Sequence, residues 1–283
     1  MRLILYLMIS IMICNTSFAG QSRDGSKYED HSKFSWPVGT LFCVTFNEGI
    51  KMVSANVGRV KNWGAGGGYG CSTNVTMGPG RAGSGAGYFN GVAKPNHSVV
   101  SFPVPTKDTY GVTSFVMHVV AVFKANGDTG VGQIIIDSGE AAPHAIGNGG
   151  VYMPNDIGNI NYPFSVFGNG NGSTTTGRRI TRGKGQPDRT WKCFNTAVYL
   201  TPLTNSSVLF FDYTNGVDSV VGGLKGKLKI GNDPLWLGQT PSLNSGYNTC
   251  TLKGWLDWIM YGDARLSRDE QNWIVTKTMV GGN

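Results

Sequence analysis

The sequence predicts an all-β protein, an antiparallel β-sandwich (jelly roll) with one short helix near its C-terminus. Short apolar, β-branched and aromatic runs of strand length recur along the chain and are separated by turns rich in Gly and Asn. Glycine is abundant, at 42 of 283 residues, and only one segment carries strong helix signals. Many short strands with Gly-rich turns are typical of sandwiches and jelly rolls.

The predicted strands are justified by branched or aromatic runs that end at turn residues. Residues 39–47 are expected to form a first strand, and 87–103 two strands around a turn at Lys94, Pro95 and Asn96. Residues 114–139 hold the clearest hairpin signal, two apolar runs joined by the Gly-containing stretch 126–130. Further strands are expected at 163–167, 196–200, 208–213, 227–230 and 253–261.

The densest glycine segment, 62–87, is expected to be a long loop, because glycine weakens both helix and strand. The helix is expected to begin at Arg268, since Ser267 and Glu270 form a capping box. Gly281 and Gly282 are expected to end it. This helix has too few apolar residues to build a core and would act as a cap.

The N-terminus has the pattern of a secretory signal peptide. Met1 and Arg2 precede an apolar run, and Ser17 and Ala19 supply small residues before a cleavage site ahead of Gly20. Residues 1–19 are therefore predicted to be removed, residues 20–36 to form a flexible lead-in, and residues 37–283 to form one domain. The apolar run is too short to span a membrane, so the mature protein is predicted to be secreted, either extracellular or periplasmic.

The mature chain keeps an even number of cysteines in an oxidising compartment, which predicts two disulfides. The cysteines are Cys43, Cys71, Cys193 and Cys250. Proximity in the sequence favours pairing the first with the second and the third with the fourth, although other connectivities remain open. A zinc site is disfavoured, because no Cys or His pair stands at ligand spacing.

The segment "KGWLDWIMYGDARLSRDE" resembles the closing segment of laminin-G-like jelly-roll modules of the concanavalin A-like superfamily. The features that match are a Gly before the strand, an acidic residue near its start, an aromatic at its end, and a Leu-Ser that opens an acidic helix. They fall on Gly254, Asp257, Tyr261, Leu266, Ser267, Asp269 and Glu270. Two upstream pieces, "GTLFCVTFNEG" and "GYFNGVAKPNHSVVSFP", are similar to the opening strand and to an inner segment of such modules. The resemblance implies a sandwich fold, and its members include both lectins and glycan hydrolases.

Catalysis is not expected from the residues present. The glucanases of that superfamily carry E-x-D-x-(x)-E on one strand, because glycoside hydrolysis needs two carboxylates flanking the bond. No such pattern occurs here. Asp137 and Glu140 are the nearest acidic pair, and they are interpreted as a solvated turn. A serine triad is equally unsupported, since no G-x-S-x-G occurs.

A basic cluster in "GRRITRGKGQPDR" is the sharpest chemical feature of the sequence. It is expected to lie in a Gly-rich loop, and its members include Arg178, Arg179, Arg182 and Lys184. Arginine can hold sulfate, phosphate or carboxylate through two hydrogen bonds, so the cluster is a candidate contact for an anionic glycan. A merely solvated loop is the alternative. The net charge of +7 is compatible with anionic partners.

Three aromatic residues in predicted loops are candidates for a sugar-stacking surface, because Trp and Tyr offer an apolar face and a polar edge. They are Trp63, Tyr69 and Trp236. Trp255 and Trp258 lie in a predicted strand and are expected to be core residues. Members of the resembled family often bind Ca²⁺ through loop oxygens, so Asp128 and Asp137 are candidate ligands, although no spacing defines a calcium site.

We therefore predict a secreted carbohydrate- or surface-binding protein, like a lectin or an adhesin, without catalysis. The expected partner is a glycan or cell-surface ligand, with an anionic one compatible with the basic cluster, and no nucleic acid. One alternative is a structural or assembly module of a surface appendage or particle that binds protein. A further alternative is a glycan hydrolase with an unrecognised site.

Overall fold

The computed structural model of the chain describes residues 40–64, 67–81, 85–103, 116–125, 133–137, 148–153, 160–161, 164–168, 178–182, 186–187, 191–201, 204–212, 235–239 and 251–262. The predicted signal peptide (1–19), lead-in (20–36), strand at 227–230 and helix from Arg268 lie outside these residues. Among the residues described, no helix is long and apolar enough to cross a membrane.

The described chain is built from antiparallel strands. In chain order they are β1 (Thr40–Thr45), β2 (Lys51–Met52), β3 (Val57–Lys61), β4 (Tyr69–Thr73), β5 (Thr76–Pro79), β6 (Gly85–Asn90), β7 (Val99–Phe102), β8 (Val116–Ala125), β9 (Gln133–Asp137), β10 (Asn148–Met153), β11 (Ile160–Asn161), β12 (Phe164–Gly168), β13 (Arg178–Arg182), β14 (Gln186–Pro187), β15 (Lys192–Thr201), β16 (Thr204–Asp212), β17 (Leu235–Leu237) and β18 (Lys253–Gly262).

Two large sheets carry most of these strands. The seven-stranded sheet has the order β16-β15-β8-β18-β6-β5, and β1 also pairs with β18. The nine-stranded sheet has the order β13-β12-β10-β9-β17-β7-β4-β3-β2, and β11 and β14 form a separate pair. The prediction of an all-β antiparallel sandwich is confirmed.

The core lies between the two sheets. Phe42 of β1 and Phe89 of β6 face it from the seven-stranded sheet, and Val100 and Phe102 of β7 face it from the nine-stranded sheet. The rings of Phe42 and Phe102 meet edge to face, with their centroids 4.5 Å apart. Because the two inner faces pack on each other, the two outer faces point in opposite directions.

The expected hairpin at 114–139 is wrong. Both of its strands exist, but β8 pairs with β15 and β18 in the seven-stranded sheet, whereas β9 pairs with β10 and β17 in the nine-stranded sheet. The connection therefore crosses the sandwich. Two apolar runs joined by a Gly-containing turn can form either a hairpin or such a crossing, and the partners of each strand, which are distant in sequence, decide between them.

The expected loop at 62–87 is also wrong, because it contains β4 and β5. Two of its glycines, Gly70 and Gly87, are sites of close packing in the core. A Cβ on Gly70 would lie 2.5 Å from the Phe102 ring, and one on Gly87 would lie 2.7 Å from the Phe46 ring. The absence of a side chain at these positions lets core rings rest directly on the strand backbone.

The expected pairing of Cys43 with Cys71 is contradicted. Cys43 is a free, fully buried thiol, and burial raises the pKa of its thiol well above the usual value. Cys71 is disulfide-bonded, so its partner is another cysteine. The side chains of Cys193 and Cys250 lie outside the described part of the structure.

Candidate functional site

A row of large side chains crosses the outer face of the seven-stranded sheet. Thr76 of β5 pairs with Tyr88 of β6, Tyr88 pairs with Trp255 of β18, and Trp255 pairs with Lys124 of β8. Trp191 continues the row, because it directly precedes Lys192, which pairs with the neighbour of Lys124. Direct partners on adjacent strands project from the same face, so the row spans five neighbouring strands.

The row points away from the core. Phe89 and Leu256, the chain neighbours of Tyr88 and Trp255, are fully buried between the sheets. Successive residues of a strand face opposite sides, so Tyr88 and Trp255 face outward. Tyr88, Trp255, Lys124 and Trp191 are each half-buried, which leaves part of each side chain open to solvent. We call these four residues the aromatic platform.

The members of the aromatic platform touch one another. The rings of Tyr88 and Trp255 lie 4.9 Å apart between centroids, with their planes tilted by 51°. The Lys124 ammonium lies 5.3 Å from the Trp191 ring centroid and 6.0 Å from that of Trp255. The lysine therefore stands between two indole rings, within the range of a cation–π contact to each.

Glycine fixes the position of Trp255. A Cβ on Gly78 of β5 would lie 2.4 Å from two atoms of the Trp255 six-membered ring. The ring consequently rests on the bare backbone of β5. Ala86, the β6 partner of Gly78, is small and fully buried. This close approach keeps the indole low on the sheet.

Flat aromatic faces with a nearby charge suit ligands that have both an apolar face and polar edges. Sugars are such ligands, since the C–H groups on a ring face pack on an indole or phenol while hydroxyls reach polar neighbours. Lys124 adds a cation that can bind a carboxylate or sulfate. The aromatic platform can therefore hold a neutral or an acidic sugar.

The prediction that Trp255 is a core residue is wrong, and this site was not predicted from the sequence. Residues 256–260 of β18 are buried on both faces of the strand, whereas Trp255, near its start, is only half-buried. The prediction that Trp258 is a core residue is confirmed. Only strand pairing brings Trp191, Lys124 and Tyr88 together with Trp255.

Two of the predicted ligand residues come together on the opposite sheet. Tyr69 and Lys61 are direct partners of β4 and β3, and the Lys61 ammonium lies 3.3 Å from the Trp63 ring centroid. Tyr69 is 41 % exposed, whereas Trp63 is half-buried. Both aromatic residues therefore stand beside a cation at one edge of the nine-stranded sheet.

Trp236 does not lie in an exposed loop, as the sequence had indicated. It belongs to β17 and is only 8 % exposed. The His97 ring stacks on it with centroids 5.9 Å apart and an angle of 19°, and the Lys94 ammonium lies 5.2 Å from its centroid. Because the loop between β6 and β7 covers this indole, Trp236 is a packing residue rather than an open platform.

Charged groups surround Trp236. Burial lowers the pKa of His97 to about 4, and repulsion from Lys94 acts in the same direction. Burial also lowers the pKa of Lys94, against the attraction of Asp137. Asp137 is the direct partner of Trp236 on β9 and is 2 % exposed.

The structure describes only part of the basic cluster and of the candidate metal ligands. Arg178, Arg179 and Arg182 lie on β13, the edge strand of the nine-stranded sheet, and not in a loop. Lys184 and the candidate metal ligand Asp128 lie outside the described residues. Within the described part of the chain, no group of three or more His, Cys, Asp or Glu side chains could hold a metal ion.

No protein-family model and no curated protein sequence matches the chain. Solved structures do share its fold at low sequence identity. A Trypanosoma rangeli sialidase in complex with sialic acid matches with a TM-score of 0.51 and 12% identity, over 87% of this chain and 34% of the sialidase. The binding domain of botulinum neurotoxin serotype D/C matches with a TM-score of 0.54 and 10% identity, over 85% of this chain and 52% of that one.

A second structure of a botulinum neurotoxin DC binding domain, in complex with SialylT, matches with a TM-score of 0.52 and 9% identity, over 85% of this chain and 52% of that chain. The chain thus spans about a third of the sialidase and about half of the toxin binding domains. At these identities the likeness concerns the fold alone.

Proposed function

We propose that the protein is a carbohydrate-binding protein that holds its ligand on the aromatic platform. The observation that carries the proposal is the row of Tyr88, Trp255, Lys124 and Trp191 on one outer sheet face. Neighbouring strands lie about 4.8 Å apart, so the row from Tyr88 to Trp191 measures roughly 14 Å. That length suits several linked sugars better than a single one.

The ligand class that fits best is an oligosaccharide containing an acidic sugar. Lys124 stands between two indole rings, where a carboxylate could bind the ammonium while the sugar ring packs on Trp255. The structural neighbours support this class, since one is a sialidase holding sialic acid and another is a toxin domain bound to SialylT. Sialic acid is itself an acidic sugar.

The proposal includes two expectations from the sequence. The strand that carries Trp255 belongs to the segment resembling laminin-G-like modules of the concanavalin A-like superfamily, a superfamily that includes lectins. The signal-peptide pattern of residues 1–19 predicts a mature protein outside the cytoplasm, where glycans are displayed. We propose binding without hydrolysis, because the sequence lacks the E-x-D-x-(x)-E strand pattern of the glucanases.

The test is binding of the mature protein, residues 20–283, to an array of neutral and acidic oligosaccharides of increasing length. Binding should strengthen from monosaccharide to short oligosaccharide. Trp255→Ala and Trp191→Ala should each weaken it about tenfold or more, the loss typical of a central aromatic contact. Lys124→Gln should weaken binding of acidic glycans selectively.

Val92→Ala is the matched control, because Val92 is an exposed apolar residue, 45% accessible, outside the platform. It should bind like the unaltered protein. Circular dichroism should show that each variant keeps its fold. Glycan binding that survives both tryptophan substitutions would contradict the proposal, and an array without any binding would favour a protein partner instead.

A further inference from the structure

We propose a second binding site, on the outer face of the nine-stranded sheet, that takes a polyanionic polysaccharide with carboxylate or sulfate groups. It consists of Lys51, Arg59, Lys61, Trp63 and Tyr69, which we call the basic ladder. This site lies on the face opposite the aromatic platform, so the inference stands independently of the proposed function.

Strand register places the basic ladder on one face. Lys51 of β2 is the direct partner of Arg59 on β3, and Lys61 of β3 is the direct partner of Tyr69 on β4. Arg59 and Lys61 are two residues apart on one strand and therefore share a face. Val60, which lies between them, is fully buried in the core, so the ladder projects outward.

The ladder is accessible. Lys51 is exposed, Arg59, Lys61 and Trp63 are half-buried, and Tyr69 is 41 % exposed. Each cation of the ladder is therefore at least partly open to a ligand.

The hairpin tip beside the ladder is held in place by Asn62. Its side-chain oxygen accepts hydrogen bonds from the backbone N–H groups of Cys43 and Gly64, each at 2.9 Å. Its amide donates to the Gly67 carbonyl at 3.0 Å. The Trp63 backbone N–H also donates to the Cys43 carbonyl at 2.8 Å. The Trp63 ring is thereby anchored beside Lys61.

The geometry favours a polysaccharide among polyanions. Direct cross-strand partners lie about 5 Å apart between Cβ atoms, and residues two apart on a strand lie roughly 7 Å apart. The three cations therefore form a compact triangle of closely spaced charges. Tyr69 and Trp63 add aromatic faces on which sugar rings can pack. A flat sheet face presents no helix or ribbon to enter a DNA groove.

The test measures the retention of residues 20–283 on a column of heparin, a sulfated polysaccharide, and their affinity for heparin. Uncharged dextran is the comparison. Heparin should bind and dextran should not. Lys51→Gln and Lys61→Gln together should weaken heparin binding about tenfold. They should also lower the slope of log K against log salt by roughly two, as expected when two released counterions are lost.

Lys253→Gln is the charge-matched control for each single lysine substitution, because Lys253 is exposed on the opposite sheet. It should leave heparin affinity within about twofold. Equal losses from Lys253→Gln and Lys51→Gln would overturn the proposal, since they would indicate attraction to overall charge. Binding to duplex DNA or to phosphatidylserine vesicles, with none to heparin, would also overturn it.

Discussion

Burial determines the protonation of His97. Its ring lies between Trp236 and the rest of the β6–β7 loop, and the pKa falls to about 4, whereas an unfolded histidine titrates near 6.5. Between these two pH values the unfolded chain binds more protons than the folded one. His97 therefore does not lower the free energy of unfolding above about pH 6.5, and that free energy decreases as the pH falls toward 4.

Replacing His97 with Phe should remove this pH dependence. The unaltered protein should lose on the order of 1–2 kcal/mol of unfolding free energy between pH 7 and 4.5 through this residue, a figure reduced for partial solvent screening. The measurement is urea unfolding of both proteins at the two pH values. If the two proteins lose equal stability on acidification, His97 is not responsible.

At the scale of the strand, glycines in β4, β5 and β6 allow aromatic rings to pack directly on the backbone. The glycine-rich segment 62–87 is predicted from the sequence to be a loop because glycine lowers strand propensity. In the fold, Gly70 and Gly87 lie beneath Phe102 and Phe46, and Gly78 lies beneath Trp255. Each ring comes from an element distant in sequence, so no local pattern could reveal these contacts.

Gly87→Ala and Gly78→Ala should consequently have different effects. The added methyl at Gly87 meets a core ring between the sheets, and overpacking of this kind costs about 1–3 kcal/mol. The methyl at Gly78 meets a ring at the outer surface, which can shift, so this variant should lose glycan affinity more than stability. Urea unfolding and glycan titration of both variants measure the two effects. Thr76→Ala, on the same β5 strand, controls for strand propensity, and equal stability losses in both glycine variants would contradict this assignment.

At the scale of the whole molecule, the sandwich separates two different outer surfaces. The aromatic platform lies on the seven-stranded sheet, and the basic ladder lies on the nine-stranded sheet. The core that joins the sheets includes Phe42, Phe102 and Leu256. A ligand on one face cannot reach the other, so the two proposed sites should be occupied independently.

Simultaneous binding is the expected consequence. Protein captured on immobilised heparin should still bind the oligosaccharide identified on the array, with an affinity within about twofold of that in solution, because uncoupled sites do not alter each other. Surface plasmon resonance with sequential injection measures this directly. Release of the protein from heparin by the oligosaccharide would show that the two ligands share one site.

The sequence by itself determined the fold class and about half of the strands. The branched and aromatic runs near 39–47, 87–103 and 253–261 became β1, β6 with β7, and β18, because strand formation in these runs follows local side-chain preference and turn residues. It also identified Trp63 and Tyr69 as a pair worth considering, since both are aromatic and near glycines.

Only the tertiary structure decided which strands meet and therefore which side chains share a surface. In that structure β8 and β9 belong to different sheets, Trp236 is buried and Cys43 is a free thiol. It also brought Trp191 and Trp255 to either side of Lys124. The physical reason is that strand pairing depends on burying two sheet faces against each other, which is a property of the whole chain. A β-bulge in one strand, or a glycine that lets a distant ring pack on the backbone, also affects the surroundings of individual side chains.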